Sequence, residues 1–399
     1  MPRILIRLLI VLILLPLPHI ARAQDLRVFQ TNHYRIHTDL DQELSDDLAT
    51  RLEGMYAEYA RRLADFPRPA DSRPLEVYLV HDQQKYLHLA GITLAGTGGA
   101  FNASRHLLAA FLDGQGRDSL RRTLQHEAFH QFAADAIGPS LPIWLNEGLA
   151  QVFEEGIWDG HGFLLGQIPP RRVRELMKMI HENTLIEFTS MLTMSPAHWS
   201  AGWHDPDISS RRYNQAWAMT HFLIYAADST GRPKYRDRLL QMLKLIHNGE
   251  DGDAAFRQAL SDNVGGFRDR FMEFARAMRP TPQATLLEDQ STLADMLVAM
   301  AKKGRYINTM DQFKNTMIRE HWIIHYRSGG LQWESASDPG VYFRSADGAP
   351  LTDEEEHFEL AGSRPLEDLV CRRDGLSLRT RFSESNGKIE HETLVESGS

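Results

Sequence analysis

Cysteine is nearly absent: Cys371 is the only one in 399 residues. No disulfide can close within one chain, so stability must come from a packed core. No cysteine follows the N-terminal apolar run to carry a lipid. Internal repeats and long low-complexity tracts are missing too. Positive charge is in deficit, with 44 Lys and Arg against 53 Asp and Glu, a net charge of −9. Such an acidic body is a poor general binder of nucleic acid, which needs basic surface to displace counterions. Long apolar runs are confined to the first two dozen residues, which excludes a polytopic membrane protein. A chain with 42% hydrophobic and 24% charged residues is neither wholly disordered nor collagen-like. Its length allows about two domains.

The N-terminal run has the form of an export signal. Arg3 and Arg7 precede an apolar stretch over 8–17, broken only by Pro16. Ala21 and Ala23 stand at the two positions a signal peptidase reads, leaving Gln24 as the new terminus. The stretch falls short of the roughly 20 apolar residues of a membrane span; an uncleaved anchor is the alternative. Losing Arg3, Arg7 and Arg22 with the leader leaves 41 basic residues against 53 acidic ones, a balance of −12. A large exported protein without disulfides suits a bacterial periplasm or secretion, with no membrane span after cleavage.

The body reads as α+β. Short alternating runs at 33–38 and 75–80 predict strands, and Leu44, Leu48, Leu52, Met55 and Tyr59 predict a helix over 41–64. A glycine-rich loop over 91–99 leads to a strand or hairpin over 106–112. From Asp118 to about Met278 the pattern is mainly helical, and Pro280 and Pro282 mark a boundary. The expected division is a leader over 1–23, a body over 24–280 and a small α+β appendage over 281–399. The appendage holds helices at 286–303 and 311–319 and strand-like runs at 321–327, 331–334, 341–344 and 376–382. Arg121 and Arg122, with Arg171, Arg172 and Arg174, read as solvated helix faces.

Chemistry concentrates in one segment. Asp118 is placed to cap a helix that Gly138 and Pro139 end. On it lie His126-Glu127-Ala128-Phe129-His130. Positions four apart differ by about 40° around a helix, so the two imidazoles project side by side and can hold one Zn²⁺. Glu127 lies about 60° round from His130, too far for a natural third ligand but well placed to touch a metal-bound water. Downstream, Glu147 sits in the apolar stretch 141–153, where a carboxylate without a positive partner is strongly destabilising. A Zn²⁺ would offset this, and two His with one Glu leave a fourth position open, as in a catalytic site.

The HEAFH string followed by WLNEGLA resembles the glutamate zincins (gluzincins), the superfamily of thermolysin and of the aminopeptidase N type. More narrowly, it is similar to the peptidase MA-like domains of many uncharacterised exported bacterial proteins. The resemblance is best over 97–225, weaker over the rest of 24–278, and absent from the tail. It implies a zincin-like catalytic domain in which His126, His130 and Glu147 are the zinc ligands and Glu127 is the general base. Sixteen residues separate His130 from Glu147, fewer than in those two well-known members, so the connection over 137–141 must be tight. Other zincin classes fail on residues. Ala133 and Ala136 stand where a metzincin needs Gly and His, the reversed His-x-x-Glu-His order is absent, and Cys371 lacks the surroundings of a cysteine ligand.

The resemblance also implies two further features. Residues 97–102 would be an edge strand that pairs with substrate backbone, their glycines allowing close approach; the alternative is an ordinary glycine turn. Tyr213 matches the position of a tyrosine that steadies the oxyanion in aminopeptidase N-type enzymes. His221 is a second candidate for that task. Tyr213, Trp217 and His221 share one helical face, which equally suits an aromatic stripe packed in the core. Two functions follow: a zinc-dependent hydrolase of peptide bonds acting on a peptide or protein, or a silent zincin scaffold that binds cell-envelope components. The intact motif favours the hydrolase.

Overall fold

The computed structural model describes residues 26–68, 72–91, 98–328, 331–343, 358–361, 366–373, 376–385 and 387–396. The expected leader and most of the 91–99 loop lie outside them. The chain opens with β1 (Arg27–Gln30), β2 (Tyr34–Thr38), α1 (Gln42–Arg62), β3 (Leu75–Val80), α2 (Gln83–Ala90), β4 (Gly99–Asn102) and β5 (Leu107–Phe111). The strands form one sheet in the order β1-β2-β3-β5-β4. Its centre is parallel because α1 and α2 carry the chain back between strands, and its two margins are antiparallel. Period-two patterning decides what each face meets. On β5, Leu108 and Ala110 join the main core with α1, whereas Ala109 and Phe111 pack with Tyr86 and Ala90 of α2. Asp41 caps α1, whose Leu44, Leu48, Leu52, Met55 and Tyr59 are all buried, as their spacing predicts.

Next come α3 (Arg117–Ala136) and α4 (Ile143–Glu154), the hairpin strands β6 (Ile157–Trp158) and β7 (Phe163–Leu164), and α5 (Pro170–His181). They are followed by α6 (Phe188–Leu192), α7 (Pro196–Ala201), α8 (Pro206–Tyr225), α9 (Arg236–His247), α10 (Gly252–Ala259) and α11 (Val264–Ala277). The tight link after α3 is achieved by Gly138. At φ +111° its N–H turns back to the Ala133 carbonyl, and Pro142 then leads directly into α4. The helix start differs from expectation. Gly116, not Asp118, occupies the cap, and the Asp118 carboxylate is spent elsewhere.

The remainder comprises α12 (Pro282–Lys302), α13 (Met310–Glu320), the hairpin β8 (His325–Ser328) and β9 (Leu331–Glu334), and the antiparallel sheet β10 (Phe358–Ala361), β11 (Asp368–Arg373), β12 (Leu376–Ser385) and β13 (Lys388–Glu396). A 3-10 turn occupies Pro339–Val341, where the sequence suggests the start of a strand. Here α12 lays Leu286, Leu293 and Leu297 against Leu369, Cys371 and Leu378, a second hydrophobic core separate from the one that runs from Tyr34 to Met278. The two cores meet along α3. Asp118 accepts the Thr393 N–H at 2.8 Å and pairs with Arg121. Arg121 also reaches Asp47 at 2.8 Å and Glu392 at 3.0 Å. Arg121, expected on a solvated face, is therefore part of an interior network and only 6% exposed, whereas the neighbouring Arg122 side chain is 44% exposed, as expected. Arg171, Arg172 and Arg174 are likewise engaged by Glu155 and Glu288. Among the described residues, no helix is long and apolar enough to cross a membrane.

Candidate metal centre and active site

α1 and α4 pack on α3, and α8 packs on α4. From α1, the buried Tyr59 hydroxyl donates to the Gln125 carbonyl at 2.8 Å, fixing the turn that carries His126. Phe129 and Phe132 anchor the opposite side of α3 in the core. From α8, Ala216 and Thr220 press on Gly148 so closely that a Cβ there would meet the Ala216 carbonyl oxygen at 2.5 Å. Only glycine lets α4 approach α8 this way, and the residue before it is Glu147.

The result is a compact donor set. His126 Nε2 and His130 Nε2 lie 3.1 Å apart. Glu147 Oε2 is 3.3 Å from the first and 3.6 Å from the second. A tetrahedral ion at about 2.0–2.1 Å from each ligand would separate them by about 3.3–3.4 Å, so the three atoms already stand at the corners such an ion requires. These residues could hold a metal ion. Glu147 is 8% exposed, and its Oε2 has no hydrogen-bond partner among the described residues. An orphaned buried carboxylate oxygen needs a cation.

Electrostatics agree. Burial alone would raise the Glu147 carboxyl, but the imidazoles of His130 and His126 hold it down to about 2. Burial opposes charge on His126, yet Glu147 and Glu154 draw its pKa well above the ordinary imidazole value. The far side of each ring is also fixed. His126 Nδ1 lies 3.1 Å from Glu154 Oε2, and His130 Nδ1 lies 3.1 Å from Asn146 Oδ1. With Nδ1–H donating outward, both Nε2 lone pairs point at the common centre. Glu154 is itself steadied by Arg122 at 3.0 Å and by Arg172 at 3.9 Å.

Around this centre lie the other candidates. Glu127 Oε2 accepts the Phe101 N–H at 2.8 Å, tying it to β4. Residues 99–102 are a strand at the margin of the sheet. Ala100 and Asn102 alternate with Gly99 and Phe101, and the latter pair turn their backbone groups away from β5. Tyr213 packs edge-on against Trp199, with ring centroids 5.2 Å apart. Burial, together with the carboxylates of Glu147 and Glu127, pushes its hydroxyl far above the usual phenol range, so it stays protonated and lies within electrostatic reach of both. His221 is not brought to this centre. It is 3% exposed, and its ring packs on Tyr225, Trp217 and Phe274 beside the Gly166 backbone. Burial depresses its pKa to about 4, so it is a neutral core imidazole.

Asn146, Glu154 and Gly148 escape the sequence reading. A signal for Glu154 exists: seven residues after Glu147 is two helical turns, on the same face of α4. Residues 121–230 match the model of a family described as a protein of unknown function, DUF1570. That span holds His126, Glu127, His130, Glu147 and Tyr213. The chain matches no curated protein.

Proposed function

We propose that this protein is a zinc-dependent hydrolase of peptide bonds, exported by the leader over 1–23. The observation that carries the reading is the orphaned Glu147 Oε2 set at tetrahedral spacing from two imidazole nitrogens. Two His and one Glu match the donor set of catalytic zinc, with one position left for water or substrate. The resemblance to gluzincins, on the same residues, points the same way.

The bound ion would supply Lewis-acid polarisation of a carbonyl and a water acidic enough to react near neutrality. The chain's own groups perform the rest. Glu127 takes a proton at its carboxylate from the attacking water and delivers it to the leaving amine. The neutral Tyr213 hydroxyl donates to the oxygen on which negative charge develops. Gly99 and the Phe101 carbonyl offer outward backbone groups to an extended peptide. Glu154 and Asn146 hold the imidazoles in the tautomer that presents Nε2.

Glu127→Gln should leave zinc stoichiometry unchanged and lower turnover by at least about 10²-fold. Metal analysis of the purified chain, followed by a peptide-library digest with and without chelator, makes the check. Wild-type cleavage by Glu127→Gln, or full zinc loading with no chelator-sensitive cleavage, would refute the reading.

A further inference from the structure

Behind the metal centre, where the two cores meet, lies a cavity of about 270 Å³. Its wall takes residues from α1, α3, the end of α4, the start of α5, α12, the β8–β9 hairpin and β13. Its volume is near the lower end of ordinary small-molecule sites.

The polar groups of the wall are not evenly spent. Each acidic oxygen has a partner. Glu154 is taken by Arg122 and His126, and Glu155 by Arg172 and Arg171. Glu288 is taken by Arg174 and the Arg171 N–H, and Asp118 by Arg121 and the Thr393 N–H. The arginines still have donors to spare. Arg122 uses one terminal nitrogen on Glu154, and its Nε and Nη1 find no acceptor among the described residues. Arg51 binds Asp47 through Nε and lies over the Trp158 ring at 5.7 Å, and its Nη1 and Nη2 find no acceptor among the described residues. The Arg122 side chain borders the cavity and is 44% exposed. A guanidinium carries five N–H groups and no acceptor, so what the wall lacks is an oxygen-rich anion. Beside these donors lie apolar surfaces of Trp158, Leu287 and Trp333.

We propose that this cavity is a binding site for a small oxyanion, carboxylate or phosphate, carried on an apolar body, with Arg122 as the principal anchor and Arg51 as the second. The head group supplies the acceptors that the acids cannot, and the body covers the indole and leucine wall. The site does not presuppose the proposed activity, although Arg122 and Glu154 link the cavity to His126. It would exist in a silent scaffold as well as in a hydrolase.

The test uses the full chain, stripped of metal so that no anion is captured at the His126–His130–Glu147 centre. Titration calorimetry with 3-phenylpropionate and with phenyl phosphate should show saturable binding to one site, and the arm that binds tighter identifies the head group. The neutral 3-phenyl-1-propanol should bind at least tenfold more weakly. Arg122→Gln should weaken the anion at least tenfold. Ser291→Phe, which fills the cavity and leaves every arginine in place, should abolish binding, with thermal unfolding checking that each variant is folded. Absence of saturable binding by both anions would overturn the proposal. So would equal binding of the alcohol, or anion binding that survives both folded variants.

Discussion

Two polar clusters lie back to back in this molecule, and their deficits are opposite. At the metal centre, two imidazoles and a carboxylate turn lone pairs to a common point and lack a cation. In the cavity behind it, guanidinium groups have N–H donors to spare and lack an anion. Glu154 belongs to both. One of its oxygens holds His126, and the other holds Arg122. The comparison teaches that a count of charges does not tell what a polar cluster will bind. Both clusters mix acids with nitrogen bases; what distinguishes them is which lone pairs or protons remain after internal pairing.

The substitution that probes this comparison hardest is Glu154→Gln. It keeps the shape but removes the charge that fixes the His126 tautomer. Zinc affinity should fall by about 10–100-fold, the usual cost of losing a carboxylate behind a ligand imidazole. The same change frees Arg122 and should tighten anion binding in the cavity. Competitive chelator titration and calorimetry on the one variant read both. If zinc and anion affinities fell together, the two clusters would share a structural defect rather than Glu154.

A smaller effect is expected at Gly148, which touches only one of the clusters. Gly148→Ala would drive a methyl group into the Ala216 carbonyl and the Thr220 hydroxyl. Overpacking of this kind costs about 1–3 kcal/mol, and it would displace Glu147 from the imidazoles. Chemical denaturation should show the loss of stability and chelator titration a weaker zinc site, while anion affinity in the cavity holds. A parallel loss at the cavity would mean that the α4–α8 contact supports both.

Much of the metal centre is legible in the sequence because its chemistry is local. His126 and His130 share a face through one helical period, and Glu147 stands out as a lone acid in an apolar helix. What stays hidden depends on partners far along the chain. Arg121 reads as a surface cation until it meets Glu392, 271 positions away. Asp118 reads as a cap, but Gly116 at φ +76° starts the helix first and leaves the carboxylate for Thr393. β13 is hard to see because Lys388, Glu390 and Glu392 alternate with the residues it turns toward β12 and α12. His221 shows the converse. Its helical face is right, but eight residues beyond Tyr213 that face has left the metal and entered the aromatic core.

A buried and a partly buried carboxylate make the last comparison, and their pKa values move in opposite directions. Glu147 is drawn down by two imidazoles, whereas Asp289, on α12, is pushed up to about 7. Burial is the leading cause, with Glu288 adding to it. Arg373 at 3.4 Å and the more distant Arg174 only partly oppose the rise, and Tyr342 lies nearby. The folded state therefore binds the Asp289 proton more tightly than the unfolded chain, whose aspartate titrates near 3.9. The stabilisation from this proton is fully present below about pH 4. It is lost as pH rises toward 7 and does not change further above that. The second core should melt a few degrees lower at pH 8 than at pH 5, and Asp289→Asn should remove most of that difference. A melting temperature that falls equally in Asp289→Asn would place the titrating group elsewhere.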